Sequence, residues 1–171
     1  MLNKTIQDAL NDQITQEFAS AYLYLSMSAH CDSVNLPGFA HWMRLQYQEE
    51  LMHALKLFDF VSDRGGHVVL QAIAQPPADF ESPLDLFQQA LEHERAISAR
   101  INQLYALAVK ENDYPTQAHL QWFITEQVEE EKNASQIVEQ LKMSGGNGTA
   151  LLMLDSALGA RTPSAATTSV Q

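Results

Sequence analysis

The chain has 171 residues, 46% of them hydrophobic, which suffices for one domain with a proper core and is too short to expect two. Its 21 acidic and 10 basic residues leave a net charge of -11, so nucleic acid and anionic membranes, which are recognised through Lys and Arg clusters, are excluded as partners and cations are favoured. No run approaches the roughly 18 apolar residues of a membrane span, the N-terminus lacks a basic stretch followed by an apolar one, and the single Cys31 excludes an intrachain disulfide, so a cytoplasmic protein is expected.

Taken in order, the chain predicts an all-α protein. After Asn3, a good N-cap, a run without Pro or Gly and dense in Ala, Leu, Gln and Glu predicts a long helix over about residues 5 to 33. The break Asn35-Leu36-Pro37-Gly38 ends it, and a second helix is expected from about Phe39 to Arg64, stopped by Gly65-Gly66. Residues 67 to 81 hold Val68-Val69-Leu70 and Pro76-Pro77 without helical period, a connection long enough to cross a bundle end to end. Ser82 as N-cap and Pro83 in the first turn open a third helix that continues to about Glu111. Asn112-Asp113-Tyr114-Pro115 turns the chain into a fourth, about 116 to 143, which ends at Gly145-Gly146-Asn147-Gly148. A short apolar fifth helix, about 149 to 158, cannot hold itself in water and should pack on the bundle or on a neighbouring subunit. The expected domain is residues 1 to 160, a four-helix bundle with one long crossover between its second and third helices; residues 161 to 171, rich in Thr, Ser and Ala, are expected to be a disordered tail.

The core stripe of each helix, read in alternating steps of four and three, carries one glutamate. In the first it is Leu10, Ile14, Glu17, Ala21, Tyr24; in the second, Phe39, Met43, Gln46, Glu50, His53, Leu57, Phe60. The third gives Phe87, Leu91, Glu94, Ser98, Ile101, and the fourth Leu120, Phe123, Gln127, Glu130, Ala134, Ile137, Leu141. A lone Glu-x-x-His on a helix is most often a solvated pair, and one buried carboxylate is simply neutralised. Four converging carboxylates without cations repel and are poorly solvated, and these stripes contain no Lys or Arg to pair them. A bound metal resolves the conflict, and oxygen ligands with one imidazole suit iron.

These features resemble the non-haem ferritins of the ferritin-like di-iron proteins over about residues 3 to 160, including the crossover, the Asp113-Tyr114-Pro115 turn and the terminal short helix. The resemblance implies that Glu17, Glu50 and His53 hold a first iron, and Glu50, Glu94 and Glu130 a second, with Glu50 bridging. It places Gln127 beside them, holding a water or oxygen species, and matches Tyr24 to a nearby electron donor; a core aromatic with a bonded hydroxyl is the equal alternative. Glu49, Glu126 and Glu129 match a third iron site on the side of a cage interior, although such residues more often belong to a solvated face. Trp122 matches a tryptophan near the centre, or packs the core. The function implied is a ferroxidase and iron store, acting on Fe2+ and O2 in a homo-oligomer of twenty-four subunits.

Departures separate relatives. Bacterioferritins carry a methionine haem ligand directly after the paired acids, where this chain has Leu51; Met52 lies about 100° further round the helix, so no haem is expected. They also complete the second iron with Glu-x-x-His, where this chain has Gln127-x-x-Glu130. In animal heavy-chain ferritins two carboxylates precede the matching glutamine and line an entry channel; the positions here are Gln117 and Leu120, which leaves another entry route open. Three alternatives remain: a di-iron oxidase or peroxidase that keeps its metals, a DNA-protecting mini-ferritin, and a metal-free bundle.

Overall fold

A computed structural model describes residues 2 to 163 and contains five helices and, among the described residues, no strand. They are α1 (Lys4–Ser33), α2 (Pro37–Asp63), α3 (Pro83–Lys110), α4 (Tyr114–Ser144) and α5 (Gly148–Gly159). Asn3, Ser82, Asp113 and Asn147 each cap the following helix by accepting a backbone N–H, which satisfies one of the donors a first turn leaves free. The tight α1–α2 and α3–α4 turns each pass through an asparagine in the left-handed region, Asn35 at φ 61° and Asn112 at φ 54°.

Two helices start earlier than expected. The second begins at Pro37 rather than near Phe39, and the fourth at Tyr114 rather than 116, because proline in a first turn forfeits a donor the helix does not use. The α2 N-cap, Leu36, has no side-chain acceptor. Asp155 of α5 supplies one from afar: its Oδ1 accepts the Phe39 N–H at 3.0 Å.

The hydrogen bonds of the crossover trace its path. His67 N–H donates to Gln7 and its carbonyl accepts from Asn11; Gln71 reaches Asp12; the Pro77 carbonyl accepts from Ser26; and Phe80 meets His30 edge to face. Rising numbers on both partners mean that the segment runs alongside α1 in the same direction, so it traverses the bundle as its length predicted. It delivers α3 antiparallel to α1, with Tyr24 opposite Glu94, Gln13 opposite Arg100 and Asn3 opposite Glu111.

The apolar core forms two clusters. One gathers Tyr24, Met27, Phe39, Trp42, Met43, Phe87, Ile137, Leu141 and the α5 residue Leu158. The other gathers Ile6, Leu10, Ile14, Leu57, Val61, Ile101, Leu104, Leu120 and Phe123. On every long helix the glutamate stripe position falls between the two. The fifth helix packs on α2 and α4 through Leu151, Leu154 and Leu158, while Leu152 and Met153 stay exposed. Most of the tail expected to be disordered lies outside the described residues; Arg161, within them, makes defined contacts.

At the far end, Asp113 both caps α4 and receives Arg64 through two hydrogen bonds of 3.0 and 3.1 Å. Burial pushes its carboxyl up, but the Arg64 bonds and the Thr116 N–H outweigh that and hold it below the usual aspartate value. A depressed carboxyl stabilises the fold above its unfolded pKa and ceases to do so as pH falls through the folded one. Asp113→Asn keeps the cap and removes the charge; it is expected to cost about 1 to 2 kcal/mol near neutral pH. Denaturant titrations across pH should show the two proteins converging in acid, and a constant gap would refute the ion-pair account.

Candidate metal centre

Between the two apolar clusters lies a belt of polar side chains. Glu17, Glu50 and Glu94 are each 1% exposed and Glu130 is 4% exposed, one from each long helix, which is far below what a solvated helix face allows. Tyr24, His53, Gln46 and Gln127 are buried with them. Helical periodicity alone brings this about, since a residue on the apolar stripe is carried inward with its neighbours.

Each carboxylate is held by a neighbour on one side. Gln13 Nε2 donates to Glu17 Oε1 at 2.9 Å and is itself steadied by Arg100 Nε at 3.3 Å. Gln46 Nε2 donates to Glu130 Oε2 at 2.8 Å. The Tyr24 hydroxyl donates to Glu94 Oε1, and Gln127 Nε2 lies 3.2 Å from Glu94 Oε2. His53 Nδ1 sits 3.4 Å from Glu50 Oε2.

What is left over is informative. Glu17 Oε2, Glu50 Oε1 and His53 Nε2 are buried and have no hydrogen-bond partner among the described residues, an arrangement that costs free energy unless a ligand engages them. The same three residues each offer a ligand atom within 4.8 Å of the others, and His53, Glu126 and Glu130 form a second such group. The donor set is oxygen-rich with one imidazole, which fits iron.

Electrostatics point the same way. Burial, then the charges of Glu94 and Glu17, push the Glu50 carboxyl well above the usual carboxylate range. Burial, then Glu94, Glu50 and Glu49, do the same to Glu130. Glu17 and Glu94 are raised by burial, in part offset for Glu17 by His53 and for Glu94 by Tyr24. Burial first, then the Glu94 charge, raises the Tyr24 phenol well above its ordinary value. The belt's carboxyls therefore hold protons more tightly than free carboxyls do, and a cation binding among them would displace those protons.

Among the residues expected at a third site, Glu49 is buried, Glu126 half-buried and Glu129 exposed. Glu126 joins His53 and Glu130, whereas Glu49 is ion-paired to Arg161 at 2.7 Å and Glu129 enters neither ligand group among the described residues. Trp122 lies edge-on to His53, ring centres 5.4 Å apart. Sequence reasoning passed over Gln13, Gln46 as the partner of Glu130, and Arg161. Gln13 was within reach, one turn before Glu17 on the same face; Arg161 carried no signal, since it sits among Thr, Ser and Ala beyond the last helix.

Residues 7–144 match the ferritin family, described as a ferritin-like domain. A bacterial non-heme ferritin of Bacteroides fragilis is 40% identical over 161 residues, covering 94% of this chain and 100% of that one. Another, of Staphylococcus aureus, is 37% identical over 162 residues, covering 95% and 98%. Among solved structures, an open pore ferritin from the hyperthermophilic archaeon Archaeoglobus fulgidus superposes with a TM-score of 0.94 at 49% identity, covering 95% of this chain and 100% of that one.

Proposed function

The chain belongs to the ferritin family, and from that membership we propose that it oxidises Fe2+ with O2 at the buried belt and stores the ferric product as mineral inside a hollow assembly of its own copies. The observation that carries this reading is one buried glutamate per long helix, together with the unpartnered atoms of Glu17, Glu50 and His53. Iron is the substrate and the source of electrons, each Fe2+ giving one to O2.

The residues supply position and charge. Glu17, Glu50 and His53 would take the first ion, and Glu50, Glu94 and Glu130 the second, with Glu50 shared. Gln127 would hold a water or oxygen species beside them. Gln13, Gln46 and Tyr24 each fix one carboxylate oxygen, so that the other oxygen faces the ions without a search through rotamers. Tyr24, bonded to Glu94, would also give an electron. Protons held on the carboxyls leave as cations enter, which keeps the belt from accumulating four negative charges. Glu126 and Glu49, with Glu129, would form a third station on the side of the cage interior.

The assembly would be a homo-oligomer of twenty-four chains in the cytoplasm. Exposed apolar side chains, among them Leu70, Val128, Leu152 and Met153, suit contacts with other copies. No helix among the described residues is long and apolar enough to cross a membrane. Leu51 in place of a haem ligand supports a haem-free protein.

The test is aerobic loading with excess Fe2+ followed by an iron count per chain and electron microscopy of the product. Uptake far beyond the centre's own ions, with dense cores, is expected. A plateau at the filled centre would instead identify an oxidase that keeps its metals.

A further inference from the structure

Arg161 follows α5 and folds back onto one face of α2. Its guanidinium lies over the Trp42 ring, 4.9 Å from the centroid. Nη1 donates to Gln46 Oε1 at 2.5 Å and Nη2 to Glu49 Oε2 at 2.7 Å. Its carbonyl is 2.9 Å from His41 Nε2. Residues 42, 46 and 49 share a helical face, so one side chain spans two turns of α2. The Glu49 side chain is 4% exposed and that of Arg161 22%. A charge pair so withdrawn from water interacts strongly, and a forked guanidinium on two acceptors fixes both.

Two consequences reach the candidate metal centre. Gln46 uses its oxygen for Arg161 and its nitrogen for Glu130, so a hydrogen-bonded chain runs from Arg161 to an expected ligand of the second iron. Glu49, expected at the third station, has its Oε2 occupied by a cation the protein itself supplies. Glu126, by contrast, makes no ion pair with Lys or Arg among the described residues and stands with His53 and Glu130. Beside the guanidinium lies a cavity of about 250 Å³, bounded by Trp42, Asn133, Gln136, Ile137, Ala157 and Arg161, which is room into which the side chain can swing.

We propose that Arg161 is an internal counter-ion for the third station: it holds Glu49 out of the metal-binding set, and a divalent cation moving on from the paired site must displace it. Arg161 is thus a positioning residue that restrains passage between oxidation and storage. The inference rests on the reading of Glu49 and Glu126 as a station beyond the paired site. Arginine stays charged at every physiological pH, so the restraint is constant and competes with the cation on charge alone. Freed of it, Glu49 attracts a cation that it otherwise meets already neutralised.

The test is anaerobic titration of the assembled apoprotein with Co2+, which is silent to O2 chemistry under these conditions and whose d–d spectrum reports the ligands. The proteins compared are the wild type, Arg161→Gln, Arg161→Lys and the double variant Arg161→Gln, Glu49→Gln. Arg161→Gln keeps a donor for Gln46, and its fold is checked by circular dichroism and assembly size. It should bind one class of Co2+ beyond the paired site roughly tenfold more tightly than the wild type. Arg161→Lys should stay near the wild type, and the double variant should lose the gain. Equal weak-class affinity in the wild type and Arg161→Gln overturns the inference while leaving the paired site intact. Absence of even the tight class in the wild type overturns the underlying reading and the inference with it. If the glutamine variant fails to assemble, Arg161→Met, which keeps an apolar stem over Trp42 without the charge, decides: weak-class binding tightened about tenfold would support the inference, and unchanged binding would overturn it.

Discussion

Glu50→Gln is expected to lower the initial rate of aerobic Fe2+ oxidation by about a hundredfold or more while making the iron-free protein more stable. The two effects share a cause. Glu50 offers a ligand atom together with Glu17 and His53, and its charge interacts with those of Glu94 and Glu130, so under the proposed reading it is the side chain both ions would share. Loss of a residue that merely orients a ligand typically costs 10 to 100-fold in metal affinity or activity, and a shared ligand should cost at least the upper end. In the empty protein the same carboxyl is a liability. It is 1% exposed, one of its oxygens has no partner, and Glu94 and Glu17 repel its charge. Its folded pKa is raised, so the native state binds the proton more tightly than the unfolded chain; stability is fullest in acid and falls as pH rises from the ordinary carboxylate value towards the folded one. Glutamine has the same shape and no charge, so the variant escapes that loss, gaining about 1 to 3 kcal/mol at neutral pH. Stopped-flow oxidation assays and denaturation of the metal-free protein at several pH values check both halves. An unchanged oxidation rate would remove Glu50 from the centre.

Gly38→Ala should undo the docking of α5. A Cβ at this position would lie 1.7 Å from the Asp155 carbonyl oxygen and 2.5 Å from its carbon, and a backbone carbonyl cannot rotate out of the way as a side chain can. Relief requires α5 to lift. That breaks the Asp155 cap on Phe39, exposes Leu158 and withdraws Arg161 from α2. A lost cap is worth about 1 kcal/mol and an overpacked contact about 1 to 3, so a total near 3 kcal/mol is expected. Hydrogen exchange should show residues 148 to 159 losing protection while the long helices keep theirs. Gly66→Ala is the milder comparison: its Cβ would meet side-chain atoms of Leu2, Val61 and Gln7 at 2.9 to 3.0 Å and no backbone, and it should cost less.

Much of this architecture is written in local pattern. The four interrupted stripes could be read because burial on a helix repeats every 3.6 residues, and each stripe position lies in the interior except Phe60 and Ser98, which are half-buried. The caps at Asn3 and Ser82 were equally local. The start of α2 was not: its acceptor, Asp155, is 116 residues away, and nothing near Leu36 announces it. The crossover could be recognised by its length, but its course along α1 depends on Gln7, Asn11 and Ser26 side chains that look like ordinary helix surface in the sequence. Around the candidate centre, residues placed by their own helix were legible. Arg161, placed by the docking of another helix, was not, and with it went the fact that Glu49 already has a partner.

The division of the apolar interior into two clusters has a mechanical meaning. Each glutamate-bearing helix is gripped by close-packed side chains above and below its glutamate, so it behaves as a beam clamped at both ends with its working point at mid-span. The spacing between opposing carboxylates is then set by whole helices lying side by side, and no loop has to close for it to be correct. Admission of an ion calls only for rotation about side-chain bonds at the waist. Wear at either extremity, whether a frayed terminus or a substituted turn, is absorbed before it reaches the middle, which lets the ends of the bundle vary for assembly while the span between them stays true.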